Sequence, residues 1–176
     1  MDNQPPVEPE EIEVGAADND LRLWRAKEAV RQGEGRLNAQ AQARVALEGR
    51  GTATTGWASA SLLALVAAGF ASPAALPRIA IAATGLLFLT AAGLCIAAIR
   101  PRDWAMVGYD PTVILDDDNK SELEALESVA LGLSDGIQGN NRRLKRTGQL
   151  LRYAGWTMIA APIIGGLIYG LGLLIS

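Results

Sequence analysis

The residues best suited to chemistry in this chain are arginines. Arg142, Arg143, Lys145, Arg146 and Arg152 form a basic run, and Arg100 and Arg102 close an earlier apolar segment. Guanidinium groups recognise phosphate through parallel N–H donors. Arg100, Arg102, Arg142 and Arg143 therefore read as the arms of an anion site, with Trp104 and Tyr109 offering flat faces on which a base can stack. A simpler reading is a topology anchor, each charge contributing about 1 kcal/mol to contact with anionic lipid.

Most other chemistry is excluded. The chain has no histidine, and Cys95 is its sole cysteine. A Cys/His metal or haem site lacks ligands, a Ser/His or Cys/His nucleophile lacks its base, and no disulfide forms within the chain. Asp116-Asp117-Asp118-Asn119 has the look of a cation loop. An EF-hand, however, needs glycine at its sixth place and glutamate at its twelfth. Counted from Asp116, the sixth place holds Ser121, although the twelfth does hold Glu127. The three acids read better as negative charge ahead of a helix N-terminus. No Walker loop, GxGxxG or paired-carboxylate constellation occurs. An enzyme is not expected, nor a metal site, a resident cofactor or a nucleic-acid partner.

The elements that must position the arginines follow from the distribution of charge. Residues 51–77, 79–99 and 153–176 contain no charged side chain. Each stretch exceeds the roughly 20 helical residues that cross a bilayer core. The expected fold is an all-α integral membrane protein with three transmembrane helices, a hairpin plus one. Further helices, expected on the cytoplasmic side, precede the first and third spans. Residues 1–19 read as a disordered acidic tail bearing Pro5, Pro6 and Pro9, without a signal-peptide core, so the first span is expected to act as the insertion signal. Residues 20–50 form a cytoplasmic helix. The hairpin occupies 51–99, with spans at about 54–72 and 79–99 turned between Pro73 and Pro77. Residues 100–152 form a cytoplasmic linker and helix, and 153–176 the third span. Seven of sixteen Lys and Arg precede the first span, Arg78 alone lies in the hairpin turn, and eight fall between Arg100 and Arg152. Basic residues stay on the cytoplasmic side, which places the N-terminus and 100–152 inside and the C-terminus outside.

Two helical seams stand out. Leu23, Ala26, Val30, Gly33, Leu37, Gln40, Arg44 and Leu47 keep 3-4 spacing, and so do Leu123, Leu126, Ala130, Leu133, Ile137, Asn140, Leu144, Thr147 and Leu151. The second opens on a Ser121 N-cap with Glu124 at N3 and runs on into the third span. Asn140 in this seam is the kind of residue that fixes register and oligomeric state. It predicts packing on the 20–50 helix, on a second copy, or on both. In the third span Pro162 predicts a kink, and Gly166-x-x-x-Gly170 a helix contact.

The hairpin closed by Ala98-Ile99-Arg100-Pro101-Arg102, followed by a helix carrying Asn141-Arg142-Arg143-Leu144-Lys145-Arg146 and a last span, resembles a known family. These are the small transmembrane effectors of bacterial cyclic-nucleotide antiphage systems, of the pyrimidine-cyclase (Pycsar) type. The resemblance covers most of 20–176 and is one of layout together with those two stretches. It implies a protein of the bacterial inner membrane that binds cyclic CMP or cyclic UMP made by a separate cyclase. It further implies a homo-oligomer that impairs membrane integrity, an abortive infection. No separate cyclic-nucleotide-binding domain is recognisable, so sensing falls to 100–152 with 20–50. Two other classes remain open: a non-enzymatic scaffold subunit of a membrane complex, and a holin-like lesion former. An ion channel would need a polar lining, for which Thr54, Thr55, Ser59, Ser61, Thr84 and Thr90 are available.

Overall fold

The computed structural model describes residues 14–72, 74–101, 103–108 and 121–175. Three α-helices account for nearly all of them: α1 (Val14–Ala71), α2 (Ala75–Ile99) and α3 (Glu122–Ile175). No strand occurs among the described residues. All three helices are long and apolar enough to cross a membrane, as fits a multi-pass membrane protein. Most of the expected tail, 1–13, lies outside the described residues, and the helix is already formed at Val14.

The expected 20–50 helix and the first span are one helix. Nothing in the sequence stops it: no proline falls between Pro9 and Pro73, and the intervening glycines cost only about 1 kcal/mol each in a helix interior. At the hairpin, α2 begins four residues earlier than the expected Ile79. Ala74 is its N-cap, so Pro77 sits in the first turn. There its missing N–H would have had no intrahelical partner. At the start of α3, Ser121 Oγ accepts the Glu124 N–H at 3.2 Å, the expected cap. The helix continues through Pro162 to Ile175.

α1 and α3 run parallel, in a register offset of one hundred residues. A Cβ on Gly33 would lie 3.2 Å from Leu133 Cβ, and one on Gly51 would lie 3.3 Å from Leu151 Cδ2. Ion pairs confirm the register on both flanks: Arg22 with Glu127 and Lys27 with Glu122, each at 3.0 Å. A crossing five residues out of step on either side is the g-to-e′ pattern of a parallel coiled coil. These pairs are exposed and contribute little energy. They select orientation. Farther along α1, hydrogen bonds from Arg31 and Gln32 hold the Glu28 carboxyl down to about 2.

Both sequence seams are buried or half-buried along their length. On α3 the heptad continues without a break through Ala154, Ala161 and Gly165. One packing rule therefore governs a two-helix stalk and the apolar bundle beyond it. At the junction, Gly51 lies against Ile99 as well as Leu151, so the three helices meet at one level. From Gly51 to Ala71 the helix rises about 30 Å, the thickness of a hydrocarbon core. Exposed Trp57 and Trp156 lie at matching heights just past the junction, as an aromatic belt requires.

Within the apolar bundle small residues let α2 approach. Gly165 faces Thr84, whose hydroxyl is bonded to the Ala80 carbonyl at 2.8 Å, and Gly172 faces Leu76. The expected contact through Gly166 and Gly170 is not made within the chain: a Cβ on either would meet nothing within 4 Å. They lie off the seam, on the outward face. The available threonines are turned inward on their own helices. Thr54, Thr55, Thr84 and Thr90 each donate to the carbonyl four residues back, at 2.8–2.9 Å.

The two kinds of glycine predict opposite outcomes. Gly165→Ala forces Thr84 off its bonded rotamer or separates α2 from α3, and costs about 1–3 kcal/mol. Gly166→Ala gains helix propensity, up to about 1 kcal/mol. Denaturation of the detergent-solubilised protein, followed by circular dichroism, reads both.

Candidate functional site

The candidate site lies where the chain leaving α2 folds back along the stalk. Residues 103–108 run in the groove between α1 and α3, ending at Gly108, whose φ of 105° favours glycine. Asn140, 1% exposed, clasps this segment. Its Nδ2 donates to the Ala105 carbonyl at 2.9 Å, and its Oδ1 accepts the Ala105 N–H at 3.2 Å. Gly136, one turn earlier, leaves room for Ala105: a Cβ there would sit 2.8 Å from that of Ala105. Arg143 donates to the Asp103 carbonyl. Asn140 and Arg143 thus hold consecutive parts of one short segment by its backbone.

Asn140 shares its layer with Gln40 of α1. Gln40 Nε2 donates to the Ile137 carbonyl at 3.0 Å and to Asn141 Oδ1 at 2.8 Å, while its Oε1 is buried with no protein partner. In a mostly apolar stalk this layer favours one register, because a shift by a heptad would part Gln40 from the Ile137 carbonyl and the Asn141 side chain that it bonds. Asn140 thus spends both ends of its amide inside the chain, on the backbone of Ala105.

One turn up α1, Arg44 occupies a seam position and lies over the Trp104 ring, 5.0 Å from its centroid. Its Nε is paired with Glu48 Oε1 at 2.6 Å. Around this pair are two cavities. One, bordered by Arg44, Glu48, Arg100, Trp104 and Thr147, encloses about 10 Å³, room for no more than one water. The other, about 300 Å³, lies between Leu37, Asn38 and Arg44 of α1, the 104–107 segment, and Asn140. That volume is at the lower end for small-molecule sites.

Of the sequence-predicted residues, Trp104 and Arg100 come together beside Arg44, and Arg143 reaches the adjoining Asp103. Arg142 lines neither cavity and is exposed on α3. Arg102 and Tyr109 lie outside the described residues, as do Asp116, Asp117 and Asp118. Arg152 is over Tyr153, 5.8 Å from the ring centroid, nearer the apolar bundle. The residue that sequence reasoning passed over is Arg44, taken only as a member of the seam. A charge in a seam otherwise held by Leu, Val, Ala, Gly and Gln40 was the available signal.

Among the described residues no cluster of three or more His, Cys, Asp or Glu that could hold a metal is found. The site offers groups suited to binding: a guanidinium, an indole face and backbone-anchoring amides around a partly open cavity. Comparison with models of protein families, with curated proteins and with solved structures finds no match.

Asn140→Ala removes both bonds to Ala105 and leaves its N–H and C=O facing the vacated space, a loss of about 2 kcal/mol. Hydrogen exchange at the Ala105 amide is expected to accelerate while exchange in the middle of α2 is unchanged. Asn140→Asp keeps the acceptor but sets a carboxylate against the Ala105 carbonyl, and is expected to release the segment as well.

Proposed function

We propose that this chain is a non-enzymatic membrane effector in which the stalk senses a small anion and the apolar bundle responds. The observation that carries the reading is the position of the 103–108 segment. It belongs to the connection that leaves α2 for α3, is clasped by Asn140, and forms one wall of the cavity beside Arg44 and Trp104. Any ligand entering there acts on the connection between two membrane helices, and on α1 and α3, which continue into the bundle as single helices. A ligand shifts such a packing equilibrium only by its differential affinity for the two states.

The ligand chemistry follows from Arg44. A phosphate competes with the Glu48 carboxylate for the guanidinium, and a base competes with the guanidinium for the Trp104 face. A cyclic pyrimidine nucleotide, cyclic CMP or cyclic UMP, supplies both groups, in keeping with the resemblance to antiphage effectors. On this reading the protein resides in a bacterial inner membrane with its N-terminus and 100–152 cytoplasmic and its C-terminus outside. It self-associates through the outward face carrying Gly166 and Gly170, and its response impairs membrane integrity. The stalk tip favours a second reading, a docking subunit of a larger complex, because Leu21, Trp24 and Leu131 are exposed there.

Membrane potential in bacteria expressing the chain, read by a voltage-sensitive dye, separates the readings. Depolarisation only when cyclic CMP or cyclic UMP is supplied is expected. Arg44→Gln is expected to abolish it with insertion intact. Glu48→Gln, which frees Arg44, is expected to lower the nucleotide concentration required by about tenfold, the scale of one charge-assisted hydrogen bond. Depolarisation without nucleotide would instead mark a holin-like lesion former. No depolarisation by the inserted protein under either condition would favour the docking subunit.

A further inference from the structure

A further cavity lies far from the stalk. It is a groove of about 670 Å³ between α1 and α2 on the hairpin side of the bundle. Its lining is aliphatic and aromatic except at one end, where Arg78 stands. Gly69 and Gly85 keep the floor low: a Cβ on Gly85 would approach Leu62 Cδ1 to 3.3 Å, and one on Gly69 would approach Ile81 Cγ2 to 3.5 Å. The walls rise at Val66, Phe70, Leu86 and Leu89, which are 46%, 86%, 65% and 56% exposed. Among the described residues no other helix covers them.

We propose that this groove binds one anionic phospholipid, with an acyl chain between the helices and the phosphate on Arg78. Length is the first argument. From Arg78 to Leu89 the groove runs about 16 Å along α2, half of the roughly 30 Å hydrocarbon core and therefore one leaflet. An acyl chain entering beside Arg78 ends at the midplane, where the groove ends.

Charge is the second argument. Arg78 is the sole Lys or Arg between residues 51 and 99, and neither 51–99 nor 153–176 contains an acidic side chain. No carboxylate side chain on these segments can serve as its counter-ion. Its Nε donates to the Ser72 carbonyl at 2.8 Å, which fixes the guanidinium at the hairpin turn and leaves its terminal N–H groups for another acceptor. A cation at the mouth of an apolar groove at the membrane boundary matches a lipid phosphate in depth and in charge. A helix of a second copy would fill the apolar part but offers Arg78 no acid, since the apolar spans carry none.

Photolabelling tests the assignment. The full chain is reconstituted into phosphatidylethanolamine vesicles containing phosphatidylglycerol with a diazirine in one acyl chain, irradiated, and mapped by mass spectrometry. Label is expected to concentrate on Leu65, Val66 and Leu86. It should exceed that on Leu167 and Leu171, the exposed comparison face of α3, by about fivefold or more, the ratio given by roughly 1 kcal/mol of preference. Ala82→Phe, which fills the groove, should reduce labelling to that of the comparison face. Arg78→Gln should lower it several-fold while Arg78→Lys retains it. Equal labelling of the two faces in the unsubstituted protein overturns the proposal without recourse to any variant. So does a protein–protein adduct in place of the lipid adduct. Enrichment indifferent to Arg78→Gln overturns the role given to the phosphate.

Discussion

The structure depends on the parallel packing of α1 against α3 in a register of one hundred residues. Each helix carries an unbroken 3-4 seam from the stalk into the apolar bundle, so the side chains that set the contact at Gly33 and Leu133 obey the same geometry as those at Gly51 and Leu151. A helix is stiff along its axis, and neither α1 nor α3 has a break between its two halves. A rotation or axial shift at one end therefore has to be accommodated along the other. What drives the packing changes along the seam. In the stalk it is the removal of Leu37 and Leu133 from water, which are 3% and 4% exposed. In the bundle, lipid is as apolar as the side chains, and close approach at Gly165 and Gly172 takes over.

Against this apolar background the polar layer at Gln40 and Asn140 stands out. It costs stability relative to a leucine layer and provides two things in return: a unique register, and an anchor for the segment leaving α2. Because Asn140 bonds backbone and not a side chain, the clasp is indifferent to the identity of residue 105 beyond its size, which Gly136 limits. The unpartnered Gln40 Oε1 leaves the layer incompletely satisfied. Partly satisfied polar cores of this kind are where a second arrangement lies close in energy. The Arg44–Trp104–Glu48 group is one turn away, so occupancy of the cavity and the state of the clasp are physically joined.

Much of this was legible in the residues. Charge-free stretches of the right length marked the three apolar helices, and the seams from Leu23 and Leu123 named the packed faces before their partner was known. Ser121 announced the start of α3. What was not legible came from relations between distant segments. Gly33 weakens a seam read by itself, and only its placement opposite Leu133 shows it as a fitted contact. Gly166 and Gly170 match a familiar pattern, yet the heptad phase puts Gly165 and Gly172 inward, and the phase is fixed far away in the stalk. Pro77 suggested that α2 begins after it, although the first turn tolerates proline. Arg44 was hidden because its partner, Trp104, is sixty residues away and arrives by way of the linker.

The central claim, one intramolecular seam at this register, is tested most directly by a disulfide. A Cβ at residue 33 would lie 3.2 Å from that of residue 133, close to the separation a disulfide needs. In protein carrying Cys95→Ala, the pair Gly33→Cys and Leu133→Cys should oxidise readily to a cross-linked single chain. The pair Gly33→Cys and Asn140→Cys, one heptad out of step, should not. A cross-link that joins two chains, or one that forms equally in the shifted pair, would contradict the account.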